Sequence, residues 1–132
     1  MPRKTLLLEI SSSSTVFRIA DTKPPVVEVS ETGEGTFNGM KLRTLYTVKV
    51  RPGKRVDRID GHGIVYAQGG GRAPYKISGL EGAGPDFSEK IRGMWVFGPN
   101  CMGNLRELRN AKASFQTLVD SKGKSKTKVW RD

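Results

Sequence analysis

The sequence predicts an all-β protein, a single closed or nearly closed antiparallel β-barrel of about eight strands with one short helical turn. Three observations carry that prediction. Apolar residues recur at every second position along several stretches, as in strands with one buried face. Turn-forming dipeptides punctuate the chain at the spacing of an antiparallel meander. Sustained helical periodicity is nearly absent. The 132 residues suit one domain, residues 1–132, and 36% hydrophobic content is low but sufficient for a compact core.

In chain order, residues 5–10 and 16–20 read as two short strands separated by a run of serines. Residues 26–37 form the next. Asn38-Gly39, between Phe37 and Met40, is the dipeptide preferred by a two-residue type I′ hairpin, whose central positions both need positive φ. The strand beginning at Met40 has the clearest pattern. There Leu42, Thr44, Tyr46, Val48 and Val50 alternate with Lys41, Arg43, Leu45, Thr47, Lys49 and Arg51, which makes one face apolar and the other mostly basic. Residues 56–67, 72–80, 89–97, 111–119 and 124–131 each have strand length and β-branched or aromatic content. Turn signals fall between them at Arg51-Pro52-Gly53-Lys54, Gln68-Gly69-Gly70-Gly71, Gly82 to Asp86, Gly98-Pro99-Asn100 and Asp120-Ser121-Lys122-Gly123. Leu105 and Leu108, three apart, place the helical turn within residues 103–110. Gly61, Gly63, Gly79 and Gly93 lie inside strands, where glycine suits the sharp bends of a small barrel.

The net charge of +10 is carried almost entirely after residue 40, since residues 1–40 hold 4 Lys/Arg against 5 carboxylates and residues 41–132 hold 19 against 8. The surplus forms two clusters. Lys41, Arg43, Lys49, Arg51, Lys54, Arg55 and Arg58 make the first, on the outward face of one strand and its adjoining turn. Lys122, Lys124, Lys126 and Lys128 make the second, alternating so strictly that all four fall on one strand face. Clustered cations create a positive potential that attracts polyanions. The plainer alternative is a solubilising surface.

Other classes are poorly served. One cysteine, Cys101, allows no intramolecular disulfide, and a single histidine allows no Cys/His zinc cluster. Glu31-Thr32-Gly33-Glu34 lacks the ligand count of a calcium loop, and Gly69-Gly70-Gly71-Arg72 lacks the ending of a phosphate loop and reads as a hairpin turn. No cofactor or metal is expected. The N-terminal apolar run is broken by Glu9 and is too short for a signal segment or a membrane span. A soluble, cytoplasmic protein with no membrane partner is the expectation. Asp60 and His62 share a strand face and have the chemistry of an acid/base pair, but no nucleophile is tied to them, so a solvated face is the simpler reading. Cys101 reads as an incidental free thiol.

Gly35-Thr36-Phe37-Asn38-Gly39, Ile59-Asp60-Gly61-His62-Gly63-Ile64-Val65, Arg92-Gly93-Met94-Trp95-Val96-Phe97, Gly103-Asn104-Leu105 with Leu108 and Asn110, and Lys128-Val129-Trp130 occur in that order. Together they resemble a family of small, functionally uncharacterised prokaryotic proteins related in fold to the allene oxide cyclase and dirigent barrels. The resemblance runs from about residue 26 onward and implies the barrel fold. The chain departs from the family in its basicity and in the charged Arg106, Glu107 and Arg109. The catalytic carboxylate of the plant cyclase matches no position here, so that activity is not implied.

Two functions from different classes follow. The first is a non-catalytic binding module that associates with RNA or a ribonucleoprotein particle, mainly by phosphate contacts from the two cationic clusters. Tyr46, Tyr66, Tyr75, Trp95 and Phe97 are expected on inward faces, which leaves phosphates as the main contact. The second is a barrel mouth that holds a small apolar ligand, or isomerises it, as the related barrels do. An interior packed from end to end favours the first, whereas a deep cavity reaching His62 or Cys101 favours the second. A homo-oligomer whose charge is incidental is a third reading.

Overall fold

Eight strands follow one another around a closed antiparallel barrel, each paired with its sequence neighbours and the last returning to the first. The computed structural model describes residues 5–131. The strands are β1 (Thr5–Thr22), β2 (Pro25–Phe37), β3 (Met40–Arg51), β4 (Asp57–Ala67), β5 (Arg72–Ala83), β6 (Glu89–Phe97), β7 (Lys112–Val119) and β8 (Lys124–Arg131), with 3-10 turns at Pro85–Phe87 and Gly103–Leu108. The second of these is the predicted helical turn, and the first was not foreseen. Asn38 and Gly39 have φ of 49° and 79°, the two positive values that a type I′ hairpin demands.

The N-terminal region corrects the sequence reading. Instead of two short strands there is one, because the serines continue the ladder opposite Glu34 to Glu31 of β2. Register shifts between Ser14 and Val16 and between Ile19 and Asp21 absorb the irregularity. Serine has little strand preference of its own, but here β2 and β8 supply backbone partners on both sides as far as Ser13. Residues 1–4, with the basic start of the chain, lie outside the described residues.

Alternation sets what fills the barrel. In β3, Leu42, Thr44 and Val48 are buried while Lys41, Arg43, Lys49 and Arg51 are exposed, as the period of two requires. Tyr75 stacks on Trp95 with centroids 4.0 Å apart and planes 15° from parallel, and Phe97 and Phe115 each lie 6.2 Å from Trp95. Such offset aromatic packing fills a small barrel without polar loss. Gly63 makes room for the Tyr75 ring, since a Cβ there would come within 2.6 Å of it. Gly79 and Gly93 face each other across β5 and β6, and a Cβ on Gly93 would lie 2.0 Å from the Ser78 carbonyl oxygen. Neither residue has a side chain, so the strands run closer there than a Cβ would allow.

Tyr66 departs from expectation. Tyr46, Tyr75, Trp95 and Phe97 line the interior, but Tyr66 stands on the outer face in register with Arg43 and Arg72. The inner positions of β4 belong to Ile59, Gly61, Gly63 and Val65, and a period of two then leaves Tyr66 outside.

The two ends of the barrel differ. One end is plugged by the connection between β6 and β7, where Leu105 and Leu108 are fully buried as part of the barrel's hydrophobic core. Two backbone hydrogen bonds between Arg72 and Met102, 2.8 and 3.2 Å long, tie that connection to β5. Arg106, Glu107 and Arg109 are exposed on its outside, so their charges leave the leucine plug intact. The other end, formed by the β1–β2, β3–β4, β5–β6 and β7–β8 connections, is open.

Candidate functional site

A cavity of about 400 Å³ descends from the open end into the barrel. Its walls are Val27 and Val29 of β2, Val48 and Val50 of β3, Ile59 of β4, Ile77 of β5 and Ile91 of β6, and Trp95 and Phe115 lie deeper. The volume falls within the range of small-molecule sites, and so does a mainly apolar lining with a few polar groups. Phe17, 66% exposed, and Phe87, 92% exposed, stand at the mouth. Apolar groups this exposed at a cavity entrance are suited to cover an apolar occupant.

The polar groups inside are carboxylates and hydroxyls. Glu31 occupies an inward position of β2, where the Tyr46 hydroxyl donates to its carboxylate. Ser12 donates to the same oxygen at 3.3 Å, and Ser125 lies 3.5 Å from it. Burial, reinforced by the Glu31 charge, pushes the Tyr46 hydroxyl far above its ordinary pKa, so Tyr46 remains a hydrogen-bond donor. Thr44 donates to the Ile64 carbonyl at 3.1 Å, which makes the Tyr75 hydroxyl the donor in its 2.6 Å bond to Thr44. Nearer the mouth, burial pushes the Glu81 carboxyl up to about 8, and the charges of Glu89, Asp57 and Glu31 add to the effect. Glu81 and Glu89 hydrogen-bond each other through that proton, as closely placed carboxyls must when both cannot ionise.

His62 and Cys101 lie away from this cavity. His62 is exposed on the outer face of β4, and the Asp60 carboxylate beside it is ion-paired with Arg51 instead. Cys101 is fully buried in the plugged end, its thiol donating to the Gly98 carbonyl at 3.4 Å, and burial raises its pKa. The interior is therefore packed at one end and hollow at the other.

Both predicted cationic clusters are exposed, but they do not share one side of the barrel. Lys41, Arg43, Lys49 and Arg51 lie along the outside of β3, with Arg58 opposite Arg51, and Lys54 and Arg55 are in the β3–β4 connection at the open end. Carboxylates interleave this stripe. Arg43 pairs with Glu34 at 3.0 Å, Arg51 pairs with Asp60, and Lys49 stands in register between Glu28 and Asp60. Lys124, Lys126 and Lys128 line the outside of β8, with Lys122 in the preceding turn. β1 and β2, which bear Glu9, Glu28 and Glu34 outward, separate the two clusters.

Further cations lie outside the two predicted clusters, on the strands that lead up to β8. Arg72 and Lys76 of β5, Lys90 and Arg92 of β6 and Lys112 of β7 are also exposed on outer faces. Among the described residues, the outward positions of β5 to β8 carry no carboxylate. Glu81 and Glu89, the acids of β5 and β6, point inward. Scattered cations are unremarkable in a list, and the register of β5 with β6, β6 with β7 and β7 with β8 is what sets them side by side on one wall. The overlooked cavity carboxylates had a signal of their own. Glu31 continues the inward parity of Val27 and Val29, and Glu89 that of Ile91 and Trp95.

Fold and site together define a small, closed, eight-stranded antiparallel barrel with a plugged base and an open apolar mouth. It is similar to the crystal structure of a conserved protein of unknown function from Rhodopseudomonas palustris, with a TM-score of 0.75, 10% sequence identity and 99% of each chain covered. That likeness shows the fold. No protein-family model matches the sequence, and no curated protein matches it.

Proposed function

We propose that the barrel binds a small, mainly apolar ligand through its open end. The observation that carries this reading is the cavity of about 400 Å³, walled by branched aliphatic side chains and flanked by exposed Phe17 and Phe87. Burying apolar surface there yields about 25 cal/mol for each Å² removed from water, and a preformed wall avoids the cost of ordering side chains. Glu31 with Tyr46, and the Glu81–Glu89 pair above, orient whatever polar group the ligand carries. A relationship to the allene oxide cyclase and dirigent barrels agrees with this use of the interior. The chain acts here as a binding module. Native mass spectrometry of the intact protein, after incubation with a solvent extract of cells, tests it. One small organic molecule retained per barrel is expected, and a barrel that stays empty across extracts contradicts the reading.

A second reading, association with RNA or a ribonucleoprotein particle in the cytoplasm, draws support from the carboxylate-free outer wall of β5 to β8. Its cations meet no carboxylate across the β5–β6, β6–β7 and β7–β8 ladders, whereas those of β3 face Glu28, Glu34 and Asp60 on β2 and β4. Only at its edge does Lys128 stand in register with Glu9 of β1. Phosphate contacts release condensed counterions, so binding must weaken steeply with salt. Copurification with and without nuclease tests this independently of the cavity.

A further inference from the structure

Along the outer wall, three registered rows run side by side across β6, β7 and β8. Lys90, Leu118 and Lys126 form one, Arg92, Gln116 and Lys128 the next, and Met94, Ser114 and Trp130 the third. A shallow trough opens over these rows, lined by Lys90, Arg92, Met94, Ser114, Gln116 and Trp130. Its cations lie at one side and the indole at the other. Trp130 is half-buried on the outer face, and it is the aromatic residue of these strands that points outward, since Tyr75, Trp95, Phe97 and Phe115 are all buried inside. Lys126 and Lys128 project two residues apart, about 6–7 Å along the strand, so a chain of anions can follow the wall past the indole.

We propose that this trough is a single-stranded RNA site, with phosphates held by Lys90, Arg92, Lys126 and Lys128 and one base stacked on Trp130. The inference rests on the second reading above and sharpens it. A polyanion of any kind satisfies the four cations, but only an unstacked base uses the indole face beside them. Bases in a duplex already stack on one another, which makes the strand state the discriminating property. Stacking tolerates sequence, so little base preference is expected.

The test uses the full chain and two fluorescent probes of equal strand length, oligouridylate and an RNA duplex, titrated at low and near-physiological salt. Oligouridylate should bind more tightly than the duplex and quench Trp130 emission. Trp95, 3% exposed inside the barrel, serves as the unquenched internal reference. Trp130→Ala should weaken oligouridylate binding about tenfold or more while leaving duplex binding unchanged, and Trp130→Phe should retain most of it. Arg92→Glu with Lys126→Glu should lower affinity for both probes and flatten the salt dependence. Thermal melts of each variant confirm that the barrel is folded. Equal binding of both probes, unaffected by Trp130→Ala, overturns the stacking site and leaves phosphate contact standing. Equal capture of polyglutamate or anionic vesicles overturns it likewise, in favour of an unselective polyanion surface. No RNA binding at low salt overturns both this site and the reading on which it rests.

Discussion

The Tyr46 hydroxyl reaches across from β3 and donates to the Glu31 carboxylate of β2 inside the barrel. The two are directly opposite in the ladder, on the face that otherwise holds Val27, Val29, Val48 and Val50. A carboxylate on an apolar wall requires donors, and Ser12 joins Tyr46 in supplying them. Tyr46→Phe removes the hydroxyl while leaving the ring, so urea unfolding should show a loss of about 1–3 kcal/mol. The double change Tyr46→Phe with Glu31→Leu should recover much of that loss, because neither partner is then left without the other. A double variant less stable than the single one contradicts this account of the pair.

Stability should depend on pH through Glu81. Its pKa rises from 4.5 to about 8 on folding, so between those values the folded barrel holds a proton that the unfolded chain has released. The contribution of Glu81 is therefore fully present below that window and is lost as pH rises through it. Midpoints of urea unfolding measured from pH 4.5 to 8 should decline, and Glu81→Gln should flatten the decline. A profile unchanged by the substitution shows that another group is responsible.

The close approach at Gly79 and Gly93 gives a sharper steric prediction. Gly93→Ala drives a methyl group against the Ser78 carbonyl oxygen, at 2.0 Å in the unrelaxed structure. The expected destabilisation is at least about 2 kcal/mol. Gly98→Ala, where an added Cβ meets nothing within 4 Å, should change stability little by comparison. Thermal or urea melts of the pair decide it, and equal effects contradict the close-approach argument.

Local pattern made most of the fold legible. The alternation of Leu42 to Val50, the Asn38-Gly39 turn and the in-strand glycines each state a local rule that the barrel obeys. Ser11 to Ser14 misled because their strand state depends on β2 and β8, which are remote in sequence. The site was less legible for a related reason. A cavity is defined by what eight strands leave unfilled, and no residue announces it. Glu31 was visible as an acid but was weighed only as a calcium ligand, although its inward parity was already implied by Val27 and Val29. The cationic clusters were legible as residues, but their neutralisation by Glu28, Glu34 and Asp60 depends on register, which alternation alone does not supply.

The central claim, that the hollow end of the barrel takes an apolar ligand, is tested most directly by titrating the protein with the neutral fluorophore N-phenyl-1-naphthylamine. Trp95 and Phe115 line the cavity, so a probe inside it should gain emission and accept energy from Trp95 as it saturates at one per barrel. Val50→Trp, at the upper wall of the same cavity, should abolish binding while leaving a cooperative thermal transition. Saturable binding lost in that folded variant is the predicted result. No enhancement with the native protein, or enhancement that survives Val50→Trp undiminished, contradicts the claim.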